Sequence, residues 1–339
     1  MKRLLITLFS SLFIATGFSA FFYHKLNELV SENFNPLRET VEFLDSDTTN
    51  YDAIFIGSSR IYFHVNPKII DSICKLNTRC IAIDGATISE KYIILLKYIQ
   101  HHPAPKLLFL GLDYTSLDGE HLPYDYPYYY AYMNDPVFDS IMSRVNKRFY
   151  YKGLFRFYDT FIRISARTDY QKYAVFSTLI TPSKKFTDLS DEPSWQIGLK
   201  KYKGYSGLER KWQKESDLEM NITGKPNIDK LGVEFFDMFV KNAREYCPNT
   251  IILYTPIYGG FGRNFDTRSF FDQVNETAGK YNVPFWNYVG GKDWMNKKFF
   301  YNWGHLNLDG STLFSYKLAN DINNFMYGTH SDTLNGVRR

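Results

Sequence analysis

Apolar positions along the chain fall into two patterns. Short unbroken runs at 53–56, 79–83, 107–110, 250–255 and 283–286 have the length of buried strands. Between them lie longer stretches with apolar residues three and four apart, which predict helices over 67–76, 89–101, 228–246, 266–281 and 309–326. Asn66-Pro67 supplies an N-cap and a first-turn proline, and Ser89 is the expected cap of the next helix. Strands alternating with helices predict an α/β fold, a mostly parallel sheet with helices on both faces. The alternation stops after Asp113 and resumes near Asn227. Residues 114–226 therefore read as a large, partly helical insertion, with helix expected around 136–180. Loops at the carboxyl ends of parallel strands are where such folds bind ligands.

A different pattern opens the chain. Lys2 and Arg3 precede about 20 largely apolar residues, 4–23. That length crosses the hydrocarbon core as a helix, and the basic flank favours a cytoplasmic N-terminus with the remainder exported. A cleaved signal peptide with its site near Ala15-Thr16-Gly17 is the alternative. The expected organisation is thus an anchor or signal segment at 1–23, a juxtamembrane helix and linker at 24–50, one domain at 51–327 carrying the insertion, and a tail at 328–339.

Composition adds little to this picture. With 40 basic and 36 acidic residues in 339, charge gives no argument for nucleic acid as a partner. The 27 Tyr and 29 Phe fit a large aromatic core or a surface that stacks on sugars, and the tyrosine cluster at 124–132 is open to both readings. Cys74 and Cys80 either form a disulfide in an oxidising compartment or are two small buried residues. No Cys/His cluster has metal-ligand spacing, and no cofactor is expected.

Two blocks carry chemistry. Gly57-Ser58-Ser59-Arg60 closes the first strand, where an α/β fold can present a nucleophile at a sharp turn; an ordinary turn is the other reading. Asn302-Trp303-Gly304-His305 precedes the last helix and supplies a candidate base. Ser58 reads as a turn residue, and His64, His101 and His102 as ordinary helix or loop residues. Arg60 is either a substrate contact or one half of a surface ion pair.

These blocks resemble the SGNH/GDSL hydrolase superfamily, in the divergent form that opens Gly-x-Ser. The likeness covers about residues 51–113 and 227–327. It implies a flavodoxin-like three-layer α/β/α sandwich with Ser59 as nucleophile, His305 as general base and Asn302 in the place of the usual acid. It also implies an oxyanion hole from the Ser59 N–H, Gly85 and the position of Asp113, with Arg60, Tyr114 and Trp303 near substrate. Two positions depart from the family: Asn302 cannot offset an imidazolium, and Asp113 would repel an oxyanion unless protonated, a structural helix or loop cap being its other reading. Asp293 and Asp309 are the other carboxylates near His305 in sequence. The single N-terminal span and the Gly-Ser-Ser block are also similar to the D-alanyl transfer proteins of teichoic acid modification and to exopolysaccharide O-acetylation proteins. That likeness implies a serine esterase or O-acyltransferase acting on a cell-envelope glycan, beside a multispanning membrane acyltransferase. A non-catalytic glycan-binding or assembly subunit is the alternative.

Overall fold

The computed structural model of the chain describes residues 37–118, 129, 132–146, 202–209, 211–212, 224–260 and 265–328, with residues 3, 6–11, 13, 14, 17 and 21 near the N-terminus. Two compact units result: Met1–Asp47 with Gly119–Asp191, and Thr48–Asp118 with Glu192–Arg339. In chain order the helices are α1 (Arg38–Ser46), α2 (Ser59–His64), α3 (Pro67–Cys74), α4 (Ile88–His101), α5 (Pro136–Val145), α6 (Lys230–Tyr246), α7 (Arg268–Tyr281) and α8 (Leu308–Tyr327). The strands are β1 (Ala53–Gly57), β2 (Thr78–Ala82), β3 (Leu107–Gly111), β4 (Thr250–Tyr254) and β5 (Phe285–Asn287).

The second unit is built on one parallel sheet of order β2-β1-β3-β4-β5. This is the flavodoxin-like order, whose switch point lies between β1 and β3. The three central strands are buried along their whole length, which is why their sequences are unbroken apolar runs. Alternate residues serve opposite faces. Phe55, Phe109, Ile251 and Leu253 share a cluster with Ile70 of α3 and with Phe314, Leu318 and Ile322 of α8. Phe55 and Phe109 stand opposite each other in register and stack at 4.2 Å. Helix α4 packs on β1 and α6, and α6 packs on β4 and α7. Each fully buried Leu, Ile or Phe contributes about 1.5–3 kcal/mol relative to exposure.

Local chemistry sets the element ends. Thr87, not Ser89, caps α4: its backbone N–H donates to Glu90 Oε2 at 2.7 Å in a capping box. Ser89 lies inside the helix, with its hydroxyl 2.8 Å from that of Thr87. Helix α3 stops at Cys74 because Lys75 turns left-handed, with φ 56°. Helix α6 begins at Lys230 under an Asp229 cap. The short α2 and two 3₁₀ turns, Lys292–Met295 and Lys297–Phe299, have no counterpart in the hydrophobic pattern.

The stretch read as one insertion is divided. Residues 119–191 group with the first unit. Residues 202–209 lie along β2 and α8: Lys203 O accepts from Cys80 N–H, Ser206 N–H donates to Tyr62 O, and Leu208 O accepts from Leu308 N–H. In the first unit, α5 starts at Pro136 under an Asp135 cap and buries Val137, Phe138, Ile141 and Met142. Tyr129 and Tyr132 pack on Phe138, while Tyr124, Tyr126, Tyr128 and Tyr130 lie outside the described residues.

The three cysteines are free thiols, each buried and bonded to a backbone carbonyl: Cys74 to Ala319, Cys80 to Val65 and Cys247 to Pro105. The disulfide reading is thereby replaced by the buried-residue one. Half of the expected span at 4–23 lies outside the described residues, and its described positions are helical. Among the described residues no helix is long and apolar enough to cross a membrane.

Candidate active site

The nucleophile turn is fixed by its own side chains. β1 ends at Gly57, and Ser58 follows in extended geometry as the N-cap of α2, its Oγ accepting from Arg60 N–H at 3.3 Å. Ser59 is therefore the first residue of the helix. Ile61, one turn on, drops between the ends of β1 and β3. A Cβ on Gly57 would meet Ile61 at 2.2 Å and one on Gly111 would meet it at 2.5 Å. Glycine at both strand ends is what lets the helix start this close to the sheet.

Ser59 Oγ lies 2.9 Å from His305 Nε2. The base loop is pinned at its root by a bridge between Phe300 and Leu306 and by Tyr301 N–H donating to His305 O. Asn302 closes the loop from inside. Its Oδ1 accepts from the backbone N–H of Gly304 (3.0 Å) and of His305 (2.8 Å), and stands 3.0 Å from His305 Nδ1. An atom that accepts two N–H groups is the carbonyl oxygen, so Nδ1 carries the ring proton. Nε2 is then the acceptor facing the Ser59 hydroxyl, the tautomer a general base requires. Burial, then the Arg60 charge, pulls the His305 pKa down to about 4, with Asp113 opposing. The ring is neutral at neutral pH. Asp293 pairs with Lys317, and Asp309 is exposed in the first turn of α8, so neither of these carboxylates takes the Asn302 position.

The charges sit on the other side of Ser59. Asp113, two residues beyond β3, accepts on Oδ2 from Ser58 Oγ (2.6 Å) and Lys91 Nζ (2.9 Å), and its Oδ1 is 3.4 Å from Arg60 Nη1. Lys91 is fully buried in α4 and also donates to Ser116 Oγ at 2.8 Å, which in turn accepts from Asp113 N–H. Burial works to raise the Asp113 pKa, but Lys91, Arg60 and the Ser58 hydroxyl outweigh it, and the net shift is downward. Asp113 is a carboxylate with no proton to give. The role of oxyanion donor therefore does not fall to it; it anchors the Ser58 cap instead.

Arg60 is also placed differently from either reading. It is buried, its guanidinium donating to Thr255 O and lying 4.4 Å over the Tyr254 ring, inside the protein rather than on its surface or against a substrate. Gly85 lies three residues beyond β2, on the same sheet edge as Ser59, with φ 61°. Tyr114 and Trp303 are half-buried neighbours, ring centroids 5.6 Å apart, and the Phe265 ring lies 5.4 Å from that of Tyr114. His101 is exposed, and His102 stacks on Tyr98. Among the described residues no group of three or more His, Cys, Asp or Glu could hold a metal ion.

Three residues of this neighbourhood carry no motif. Lys91 leaves one trace in sequence, a lysine within the apolar face of α4. Thr255 and His64 leave none. His64 ends the helix that Ser59 begins and is completely buried. Its Nε2 accepts Leu306 N–H at 3.0 Å, so its proton is on Nδ1, which faces Thr255 Oγ1 at 2.8 Å.

No protein-family model matches the chain, and no curated protein matches it in sequence.

Proposed function

We propose that the second unit is an SGNH-type serine esterase or O-acyltransferase acting on a cell-envelope glycan through an acyl-Ser59 intermediate. The observation that carries this reading is the hydrogen-bonded line Ser59 Oγ, His305 Nε2, His305 Nδ1, Asn302 Oδ1 at the carboxyl edge of a parallel sheet. A serine hydroxyl needs a base within reach, and the base needs a fixed tautomer. In the reaction, Oγ attacks the acyl carbonyl while its proton passes to Nε2. The tetrahedral intermediate collapses, and His305 returns the proton to the departing alkoxide. Water or an acceptor hydroxyl then attacks acyl-Ser59 with His305 again as base, freeing the serine. The Ser59 and Gly85 N–H groups are the proposed oxyanion donors, on the family likeness. The half-buried rings of Tyr114 and Trp303 are the proposed contacts for a sugar. The apolar segment at 4–23 is the proposed anchor, placing the domain outside the cytoplasm beside a membrane acyltransferase partner.

A low-pKa base without a carboxylate behind it is a weak one. That observation favours a second reading, a glycan-binding or assembly subunit that keeps the constellation without turnover. A serine-directed phosphonate probe separates the two. The enzyme reading expects labelling of the wild type at Ser59, mapped by mass spectrometry. An unlabelled wild type, or labelling that persists in Ser59→Ala, overturns it.

A further inference from the structure

We infer that His64 is a positioning residue that sets where the base stands relative to the nucleophile. The inference rests on the proposed Ser59–His305 chemistry and adds a residue to it. One imidazole joins three segments. Its backbone belongs to α2, the helix that Ser59 opens. Its Nε2 accepts the N–H of Leu306, the residue after the base. Its Nδ1–H donates to Thr255 Oγ1, just past β4, and the Thr255 carbonyl accepts from Arg60, the residue after the nucleophile. The two catalytic side chains are therefore each one residue from a group tied to the same His64–Thr255 pair.

The geometry requires a ring that is neutral, protonated on Nδ1 and free to accept on Nε2. A cationic imidazole has no acceptor for Leu306 N–H. The surroundings keep it neutral: burial first, then the Arg60 charge and, once its ring is protonated, that of His305, with only the Gly304 carbonyl working against them. That carbonyl belongs to the same base loop. Phe63 adds an apolar wall, its ring edge-on to His305 at 5.4 Å. The loop is held from inside by the Asn302 carbonyl and at its end, through Leu306, by His64.

Two substitutions divide the two bonds. In His64→Gln the side-chain carbonyl reaches the position of Nε2 and keeps an acceptor for Leu306. In His64→Asn the shorter amide reaches only the position of Nδ1 and keeps the donor to Thr255. The measurements are the rate of phosphonate labelling at Ser59, the melting temperature, and the downfield proton signal of His305 Nδ1–H in protein carrying ¹⁵N-histidine. The expected result is a labelling rate about 100-fold lower in His64→Asn, the scale of a misplacement near 1 Å. His64→Gln recovers most of the rate, although both variants melt at similar temperatures. The His305 Nδ1–H signal persists in His64→Gln and broadens in His64→Asn. Equal labelling by the two variants, or a rate that simply follows melting temperature, overturns the inference. An unlabelled wild type overturns the enzyme reading alone, because the His305 signal then decides the role of His64: unchanged in both variants, it overturns that role too.

Discussion

The two sides of Ser59 are built from opposite materials. On the nucleophile side, three charged groups are buried together: Arg60, Lys91 and Asp113. On the base side, the contacts of His305 are a hydroxyl, a side-chain amide and backbone groups. The one carboxylate of the site is thus spent on holding the Ser58 cap rather than on orienting the base. Two cations and one anion also leave a net positive charge beside the nucleophile. Such a field favours an oxyanion and disfavours an imidazolium, which is the direction in which the His305 pKa moves. The difference teaches that placement and charge compensation, combined in one aspartate in a Ser-His-Asp triad, are separated here. Asn302 places the ring, while the one compensating charge, that of Asp113, only partly offsets the depression of its pKa.

Four measurements break or sharpen this comparison. The largest effect belongs to Ser59→Ala, which removes the atom to be acylated and abolishes covalent labelling. Next is Asn302→Asp, which puts a carboxylate where the base side lacks one. Its oxygen can still accept from Gly304 and His305 N–H, so the loop is kept. The expected outcome is faster ester hydrolysis, rising toward the ~10⁴-fold that the carboxylate supplies in serine triads. The acid limb of the pH–rate profile moves up from about 4, because an anion beside the ring favours its protonated form. A variant no faster than wild type and with the same acid limb breaks the comparison.

Third, Asp113→Asn leaves two buried cations without a counter-charge. Breaking a buried pair in this way costs about 3–5 kcal/mol, read from urea denaturation. His305 shifts lower still, since the Asp113 charge is what opposes its depression. A loss below 1 kcal/mol would show that the cluster is not electrostatically coupled.

Smallest per unit of change is the effect of pH on stability. His64 and His305 both have folded pKa values below that of a free imidazole. Between pH 6.5 and about 4 the unfolded chain therefore binds a proton that the native His305 ring does not. Stability is complete above 6.5 and falls on acidification, by about 1.4 kcal/mol per pH unit for His305, with His64 acting in the same direction. Melting temperatures constant across that window would mean the rings titrate normally.

Most of the fold was legible because its signals are local. Buried parallel strands must be apolar on both faces, and runs such as 53–56 and 107–110 say so directly. Strand and helix ends moved by one or two residues where capping chemistry won over the apolar pattern, as at Thr87 and Lys75. Helix α2 was not legible: six residues are too few to show a period. The 202–209 segment was not legible either, because its anchors are remote in sequence: Lys203 on Asp71 and Asn77, Tyr205 on Ser311, and backbone bonds to Cys80, Tyr62 and Leu308.

Of the site, the sequence by itself determined the Gly57–Arg60 turn and the Asn302–His305 loop as two motifs, with Ser59 and His305 246 positions apart, and the absence of an acid within the second. Serine before a helix and histidine after an asparagine are chemical statements that need no partner to be read. What each polar side chain faces is a different matter. Arg60 read in sequence as a substrate contact or half of a surface ion pair, and Asp113 as an oxyanion donor or a structural cap. Only the packing of α2 and α4 against the ends of β1 and β3 turned them into an internal ion pair with Lys91. His64 likewise became a brace only when β4 and the last loop closed over it. A buried charge or ring takes its meaning from partners tens or hundreds of residues away, and sequence order does not specify those distances.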